Sequence, residues 1–439
     1  MMKKSYLLGY NNSKLVDFLD EWFRTDLSFK IIDRNLIPVS FPKTVSFGVC
    51  GVRRSGKTYS LFEYARILRK KVPLYNVIYI NFDDVRLSPL NIQEFIYLPE
   101  IIKENFNIDE KKNFYLLLDE IQYIEGWEKI VRSFLDRKLG NVVFTGSSSK
   151  ISPEKLSSSM RGRTLTKFIY PLNFKEFLKF KNFESDSKVS PKRLIEFMRE
   201  FLLYGGFPEV VLNDDKSFKT SYLRELYKTI FYRDIIENFP IRNLKTFEIF
   251  LKVLLESFSS SMSISKFHKF LNNTFGIKTK KNTLQEYFFY IKSAFFIFEI
   301  EIFSYKLKER LQYPRKIYCI DTGLVNSLVF KFSRNWGKLL ENAVFLELIK
   351  RGEELYYWKD NTGKEVDFIL MKNFKPQLPI QVVWNIDDEK TKGREIRALL
   401  KAMEEFELKE GLIITGNFEG KDEIGNKRII YKPFWKWAL

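Results

Sequence analysis

A chain of 439 residues is long enough for two to four domains, and 45% hydrophobic content with 43 Phe excludes a disordered chain. Its 73 Lys and Arg exceed its 55 Asp and Glu by a formal charge of +18, which suits a polyanion such as nucleic acid or, more plainly, a solvated surface of Lys–Glu pairs. Two distant cysteines, Cys50 and Cys319, exclude a disulfide framework, and a single histidine, His268, read as a surface residue, argues against Ser-His-Asp and His-rich metal chemistry.

Met1-Met2-Lys3-Lys4 is followed by no long apolar stretch, so no signal peptide is expected. The most apolar run, Ala294 to Phe303, is broken by Glu299 and Glu301 and falls short of the roughly 20 residues a membrane helix needs. No membrane span and a reducing, cytoplasmic setting are therefore expected.

In chain order, short apolar runs predict strands at Thr44 to Cys50, Val77 to Phe82, Phe114 to Leu118 and Val142 to Thr145. Between the first two, Leu61, Tyr64, Ala65 and Leu68 recur at helical spacing within Thr58 to Lys71. Strand–helix alternation of this kind predicts a parallel sheet covered by helices, an α/β fold.

The first strand runs into Gly51-Val52-Arg53-Arg54-Ser55-Gly56-Lys57-Thr58, which fits G-x-x-x-x-G-K-[ST] at every fixed position. Its glycines let backbone N–H groups converge on phosphate oxygens, and the helix N-terminus adds partial positive charge. All eight residues are assigned to ATP, with Lys57 on the β- and γ-phosphates and Thr58 on Mg²⁺. The third strand ends in Asp119-Glu120. In such sheets this point lies beside the phosphate loop, so Asp119 is assigned to Mg²⁺ and Glu120 to polarising the attacking water. The fourth ends in Thr145-Gly146-Ser147-Ser148, where Ser147 or Ser148 could sense the γ-phosphate or belong to an ordinary loop. Arg161 and Arg163 could reach a neighbour's γ-phosphate or be plain surface arginines, and Arg233 beside Asp234 could sense nucleotide or form a local ion pair.

A helical stretch follows from about Asn173 to Phe258, punctuated by Gly205-Gly206-Phe207-Pro208. Helices near Ile264 to Leu271 and Asn282 to Ser293, then strands near Phe296 to Ile302 and Lys316 to Ile320, describe a winged helix. Asn282 can cap its second helix. Lys278, Lys280 and Lys281 precede that helix, and Lys306, Lys308 and Arg310 lie in the hairpin expected to form the wing. They are candidate DNA contacts, with docking to a protein as the alternative. The last hundred residues predict a helix at Leu339 to Arg351 and strands at Glu354 to Trp358, Glu365 to Met371 and Leu378 to Val383. A helix at Arg394 to Phe406 and a strand at Gly411 to Thr415 complete them.

The set Gly51–Thr58, Leu116-Leu117-Leu118-Asp119-Glu120-Ile121-Gln122, Gly126-Trp127-Glu128 and Thr145-Gly146-Ser147-Ser148 resembles the archaeal and bacterial AAA-type ATPases of the extended AAA+ group. Gly162-Arg163, Pro171-Leu172-Asn173-Phe174, Gly205-Gly206-Phe207-Pro208-Glu209 and Tyr318-Cys319-Ile320-Asp321-Thr322-Gly323-Leu324 extend the resemblance over most of the chain. It implies an AAA+-like P-loop core at 1–175, a helical lid at 176–258, a winged helix at 259–330 and an endonuclease-like α/β domain at 331–439. The function expected is an ATP-hydrolysing, DNA-associated homo-oligomer, ring-shaped or otherwise. The alternatives are a nucleotide-dependent switch that recruits a protein partner and an ATP-gated nuclease. For the endonuclease likeness, Glu341, Glu365, Asp367 and Gln381 fall at the places of the metal-binding acids. Gln381 stands where an acid is usual and Val383 where a lysine is. The site is therefore expected to be degenerate, unless Lys364 substitutes from another strand.

Overall fold

A computed structural model describes residues 13–28, 31–87, 95–147, 151, 153–183, 190–329 and 335–439. The chain forms two compact units, Met1–Ile169 and Tyr170–Leu439.

The N-terminal unit is built on strands β1 (Ser46–Gly51), β2 (Val77–Asn81), β3 (Tyr115–Asp119), β4 (Asn141–Ser147) and β5 (Thr164–Ile169). They form one sheet in the order β2-β3-β4-β1-β5 with every pair parallel. All residues of β1 and β3 are buried, as strands covered on both faces should be. The helix Lys57–Leu68 lays Leu61, Tyr64, Ala65 and Leu68 into that cover, each no more than 1% exposed. A helix at Ser13–Arg24 that the apolar runs did not reveal adds Trp22, whose indole N–H donates to Val77 O at 2.8 Å. β5 is likewise absent from the sequence reading: as an edge strand with alternating exposure, it lacks a continuous apolar run.

The C-terminal unit holds helices at Phe174–Phe180, Pro191–Tyr204 and Lys216–Thr229, the last running into a π-helical turn at Ile230–Ile236. Beyond the helix Leu244–Glu256 come β6 (Ser260–Met262), the helices Ile264–Phe275 and Lys281–Ser293, and β7 (Ile297–Ile302) with β8 (Arg315–Cys319). Then follow the helix Trp336–Lys350, β9 (Glu354–Lys359), β10 (Glu365–Lys372), β11 (Lys375–Val383), the helix Glu389–Glu405, β12 (Glu410–Thr415), β13 (Gly420–Ile424) and β14 (Lys427–Pro433). The nine strands form one mixed sheet in the order β13-β14-β12-β11-β10-β9-β7-β8-β6. The β7–β8 hairpin is therefore not a free wing, because β7 also pairs with β9 through Glu301↔Tyr356 and Ile302↔Tyr357. Its connection contains a helix, Leu307–Gln312, where a loop was expected. The helix Lys281–Ser293 starts one residue before Asn282, so the residue at its cap is Lys280, which makes no side-chain capping bond. His268 is half-buried, with Nε2 2.7 Å from Thr279 O, and is not a free surface residue.

Candidate functional site

In the N-terminal unit, β1 and β3 both border β4, so the segments leaving the three strands open on one edge of the sheet. Gly51 ends β1 so close to β5 that a Cβ would lie 2.4 Å from Ile169 O. Gly56, at φ +95, takes the left-handed conformation that turns the loop into the helix Lys57–Leu68. No side chain caps that helix, so its first N–H groups are offered to an anion. Lys57 is buried and Nζ donates to Gly51 O and Val52 O, each at 3.3 Å, with Glu120 Oε1 3.8 Å away. Val52 and Ser55 are buried in the loop, Arg53 is half-buried and Arg54 exposed.

Asp119 meets the loop through Thr58, whose hydroxyl donates to Oδ2 at 2.7 Å across 61 residues of sequence. Tyr79 donates to the same oxygen at 2.9 Å, and Thr145 donates to Oδ1. Burial pushes the Asp119 carboxyl upward, and the hydroxyls of Thr145, Thr58 and Tyr79 oppose it. Thr145 Oγ1 also accepts the Glu120 N–H at 3.1 Å, and Gln122 Nε2 donates to the Glu120 carboxylate. Glu120 itself sits at φ 50 in the left-handed region, where the turn after β3 swings its side chain toward Lys57. The oxygens of Thr58 and Asp119 are hard donors of the kind Mg²⁺ takes, and the glycine-lined loop accepts phosphate, so the residues fit both groups.

The expected γ-phosphate sensor is only partly placed: Ser147 ends β4, while its side chain and all of Ser148 lie outside the described residues. The polar group that β4 does deliver is Thr145. Tyr79 and Gln122 were not singled out from sequence, and neither was Arg34, whose guanidinium donates to Ser55 O in the phosphate loop at 3.0 Å. Arg161 is exposed at φ 52 and Arg163 pairs with Asp136. Both lie before β5, at the end of the sheet away from the phosphate loop: Ser46↔Thr164 stands five residues, roughly 16 Å, from Gly51↔Ile169.

In the C-terminal unit, Lys278, Lys280 and Lys281 are exposed. Lys278 and Lys280 line a cavity of about 690 Å³ together with Arg242, Lys245, Phe275 and Tyr287. Arg242 and Lys245, at the start of the helix Leu244–Glu256, went unnoticed in sequence because more than thirty residues separate them from the lysines. Lys306, Lys308 and Arg310 ride instead on the β7–β8 connection and its helix. Arg233 is 65% exposed, with Nε 3.7 Å from Glu237, not from its neighbour Asp234, which is buried.

Glu341, Glu365 and Asp367 do come together, but around an amine: all three carboxylates contact Lys316 Nζ. Gln381 joins the cluster, its Oε1 accepting the Asp367 N–H at 3.2 Å and its Nε2 donating to Glu395. The ammonium among them comes from β8, a strand that the sequence reading did not connect with these acids. Among the described residues, no group of three or more His, Cys, Asp or Glu is arranged to hold a metal ion, and no helix is long and apolar enough to cross a membrane.

Comparison with known proteins matches residues 44–178 to an AAA domain, 195–335 to a domain of unknown function (DUF8612) and 336–435 to a second one (DUF4143). The uncharacterized protein MJ1544 of Methanocaldococcus jannaschii is 39% identical over 423 residues, 93% of this chain and 91% of that protein. An uncharacterized protein of Haemophilus influenzae is 29% identical over 389 residues, 88% of this chain and 93% of its own. Among solved structures, the Aeropyrum pernix ORC1 protein in complex with DNA aligns over 72% of this chain and 90% of that chain. Its sequence identity is 13% and its TM-score 0.30.

Proposed function

We propose that this chain, which belongs to the AAA-type ATPases and to one family with MJ1544, binds and hydrolyses ATP at the edge formed by β1, β3 and β4. The observation that carries this reading is the 2.7 Å hydrogen bond from Thr58 to Asp119, which joins the phosphate loop to the acids of β3. In the proposal, residues 51–58 wrap the triphosphate with main-chain N–H groups, and Lys57 turns from Gly51 O and Val52 O to the β- and γ-phosphate oxygens. Thr58 and Asp119 hold Mg²⁺, which supplies charge neutralisation when bound. Glu120, steadied by Gln122 and by the Thr145 bond to its N–H, orients a water against the γ-phosphorus. The water oxygen bonds to that phosphorus, the bond to the β–γ bridging oxygen breaks, and ADP and phosphate leave with the water proton passing to Glu120. Glu120→Gln should keep ATP binding within about threefold and lower turnover at least about 100-fold, and wild-type turnover in that variant would overturn the assignment.

The same proposal includes association with DNA and assembly into a homo-oligomer. Four exposed cations around one cavity, Arg242, Lys245, Lys278 and Lys280, together with a formal charge of +18, support a phosphate-rich partner. The position of Arg161 and Arg163 supports a role toward a neighbour, because roughly 16 Å along the strands separates them from their own phosphate loop. The division we propose is a core at 1–175, a lid at 176–258, and a winged helix at 259–330 that shares one sheet with an endonuclease-like module at 331–439, in a reducing cytoplasmic setting that suits the buried cysteines Cys50 and Cys319. Stimulation of the ATPase tenfold or more by DNA supports this reading. Unchanged turnover on DNA, with nucleotide binding intact, favours a nucleotide-dependent switch that recruits a protein.

A further inference from the structure

Two strands and a helix that were expected to build a cation site in the C-terminal unit have brought their carboxylates together, and the site is filled from a third strand. Lys316 Nζ lies 3.0 Å from Glu341 Oε1, 3.0 Å from Glu365 Oε1 and 2.7 Å from Asp367 Oδ1. An ammonium has three protons, and here three carboxylates receive them. The Lys316 side chain is 3% exposed, and those of Glu341 and Asp367 are 12% and 10% exposed. Such burial of a lone charge would be prohibitive without this pairing.

Further donors hold the same carboxylates. Asp367 Oδ2 accepts the Val382 N–H at 2.9 Å, Glu365 Oε2 accepts Lys359 Nζ at 3.0 Å, and Glu341 Oε1 accepts the Tyr318 hydroxyl at 2.8 Å. A magnesium ion would need these oxygens at about 2.0–2.1 Å and would occupy the space of the ammonium, so the two exclude each other. Gln381, held by the Asp367 N–H and by Glu395, does not open a second place for an ion, and Val383 offers no donor.

Lys316 also joins parts of the sheet that share no ladder. It stands on β8, whereas Glu365 and Asp367 stand on β10 and Glu341 on the helix Trp336–Lys350. The only pairing between the hairpin and the C-terminal strands among the described residues is the two-residue register of β7 with β9. We propose that Lys316 is the resident cation of this nuclease-type carboxylate cluster, so that the cluster takes no divalent metal and acts as an ionic latch holding the β7–β8 hairpin to the C-terminal sheet.

The test is Mn²⁺ binding to the nucleotide-free full chain, read from the loss of the free Mn²⁺ signal in electron paramagnetic resonance. Wild type and Asp367→Asn should bind the same number of Mn²⁺ ions per chain. Lys316→Ala, which vacates the centre, should gain one ion per chain, and Lys316→Ala with Asp367→Asn should lose that gain. Loss of one Mn²⁺ from wild type on Asp367→Asn overturns the proposal, and so does a folded Lys316→Ala protein that gains none. If Lys316→Ala does not fold, the comparison of wild type with Asp367→Asn still decides, since a resident metal would be lost there and a resident ammonium would leave the count unchanged.

Discussion

Replacing Lys57 by Met removes the one ammonium in the phosphate loop while keeping the length of the side chain. In the structure its Nζ makes two long bonds of 3.3 Å, to Gly51 O and Val52 O, and lies 3.8 Å from Glu120. When ATP enters, these two bonds to neutral carbonyls are exchanged for two to charged phosphate oxygens. A hydrogen bond involving a charged group contributes about 1.5–3 kcal/mol; the long bonds to neutral carbonyls lie at the lower end and bonds to anionic phosphate oxygens at the upper, so each exchange gains about 1–1.5 kcal/mol. The pair gives about 2–3 kcal/mol, or a loss of roughly 30- to 150-fold in affinity for the variant at 1.4 kcal/mol per decade. The assay is equilibrium titration of a fluorescent ATP analogue with Mg²⁺ present, with a thermal melt alongside to confirm folding. A variant that melts like wild type and binds within about threefold of it would refute the placement of Lys57 on phosphate.

Tyr79→Phe removes one of three hydroxyls that hold Asp119 and should cost about 1 kcal/mol of stability and several-fold in turnover, read by urea unfolding and steady-state ATPase rates. An unchanged rate would mean that Tyr79 is mere packing. Arg242→Ala with Lys245→Ala should reduce the slope of log K for DNA against log salt by about 2, measured by anisotropy over a salt series, and an unaltered slope would remove the cavity from the interface. Asp321 is buried and accepts the N–H groups of Gly206 at 2.7 Å and Leu324 at 2.9 Å. Burial nonetheless pushes its carboxyl up to about 6. The folded state therefore holds this proton more tightly than the unfolded chain, whose carboxyl titrates near 4, and the contribution of Asp321 to stability falls as pH rises from about 4 to 6. Between those values wild type should lose up to roughly 3 kcal/mol relative to Asp321→Asn, read as the difference in urea midpoints at pH 4 and pH 7. A difference that does not change with pH would refute this.

The parts of this protein legible from residues alone are those set by neighbours in sequence. Eight consecutive residues, Gly51 to Thr58, carry the loop because two glycines, a lysine and a threonine at fixed spacing suffice to shape a strand-to-helix turn. Leu61, Tyr64, Ala65 and Leu68 declared their helix face, and the apolar runs of β1 to β4 declared strands buried on both sides. β5, with its alternating exposure, did not, because an edge strand need bury only one face.

Strand order decided the rest. It set Thr58 against Asp119 across 61 residues and brought Tyr79 and Thr145 to the same carboxylate, contacts with no local spacing to announce them. It also carried Lys316 from β8 into the midst of Glu341, Glu365 and Asp367, 25 to 51 residues further along the chain. A periodic pattern reports only which way a side chain faces within its own helix or strand. Which distant charge it will face depends on how those elements are packed together, and that is a property of the folded chain as a whole.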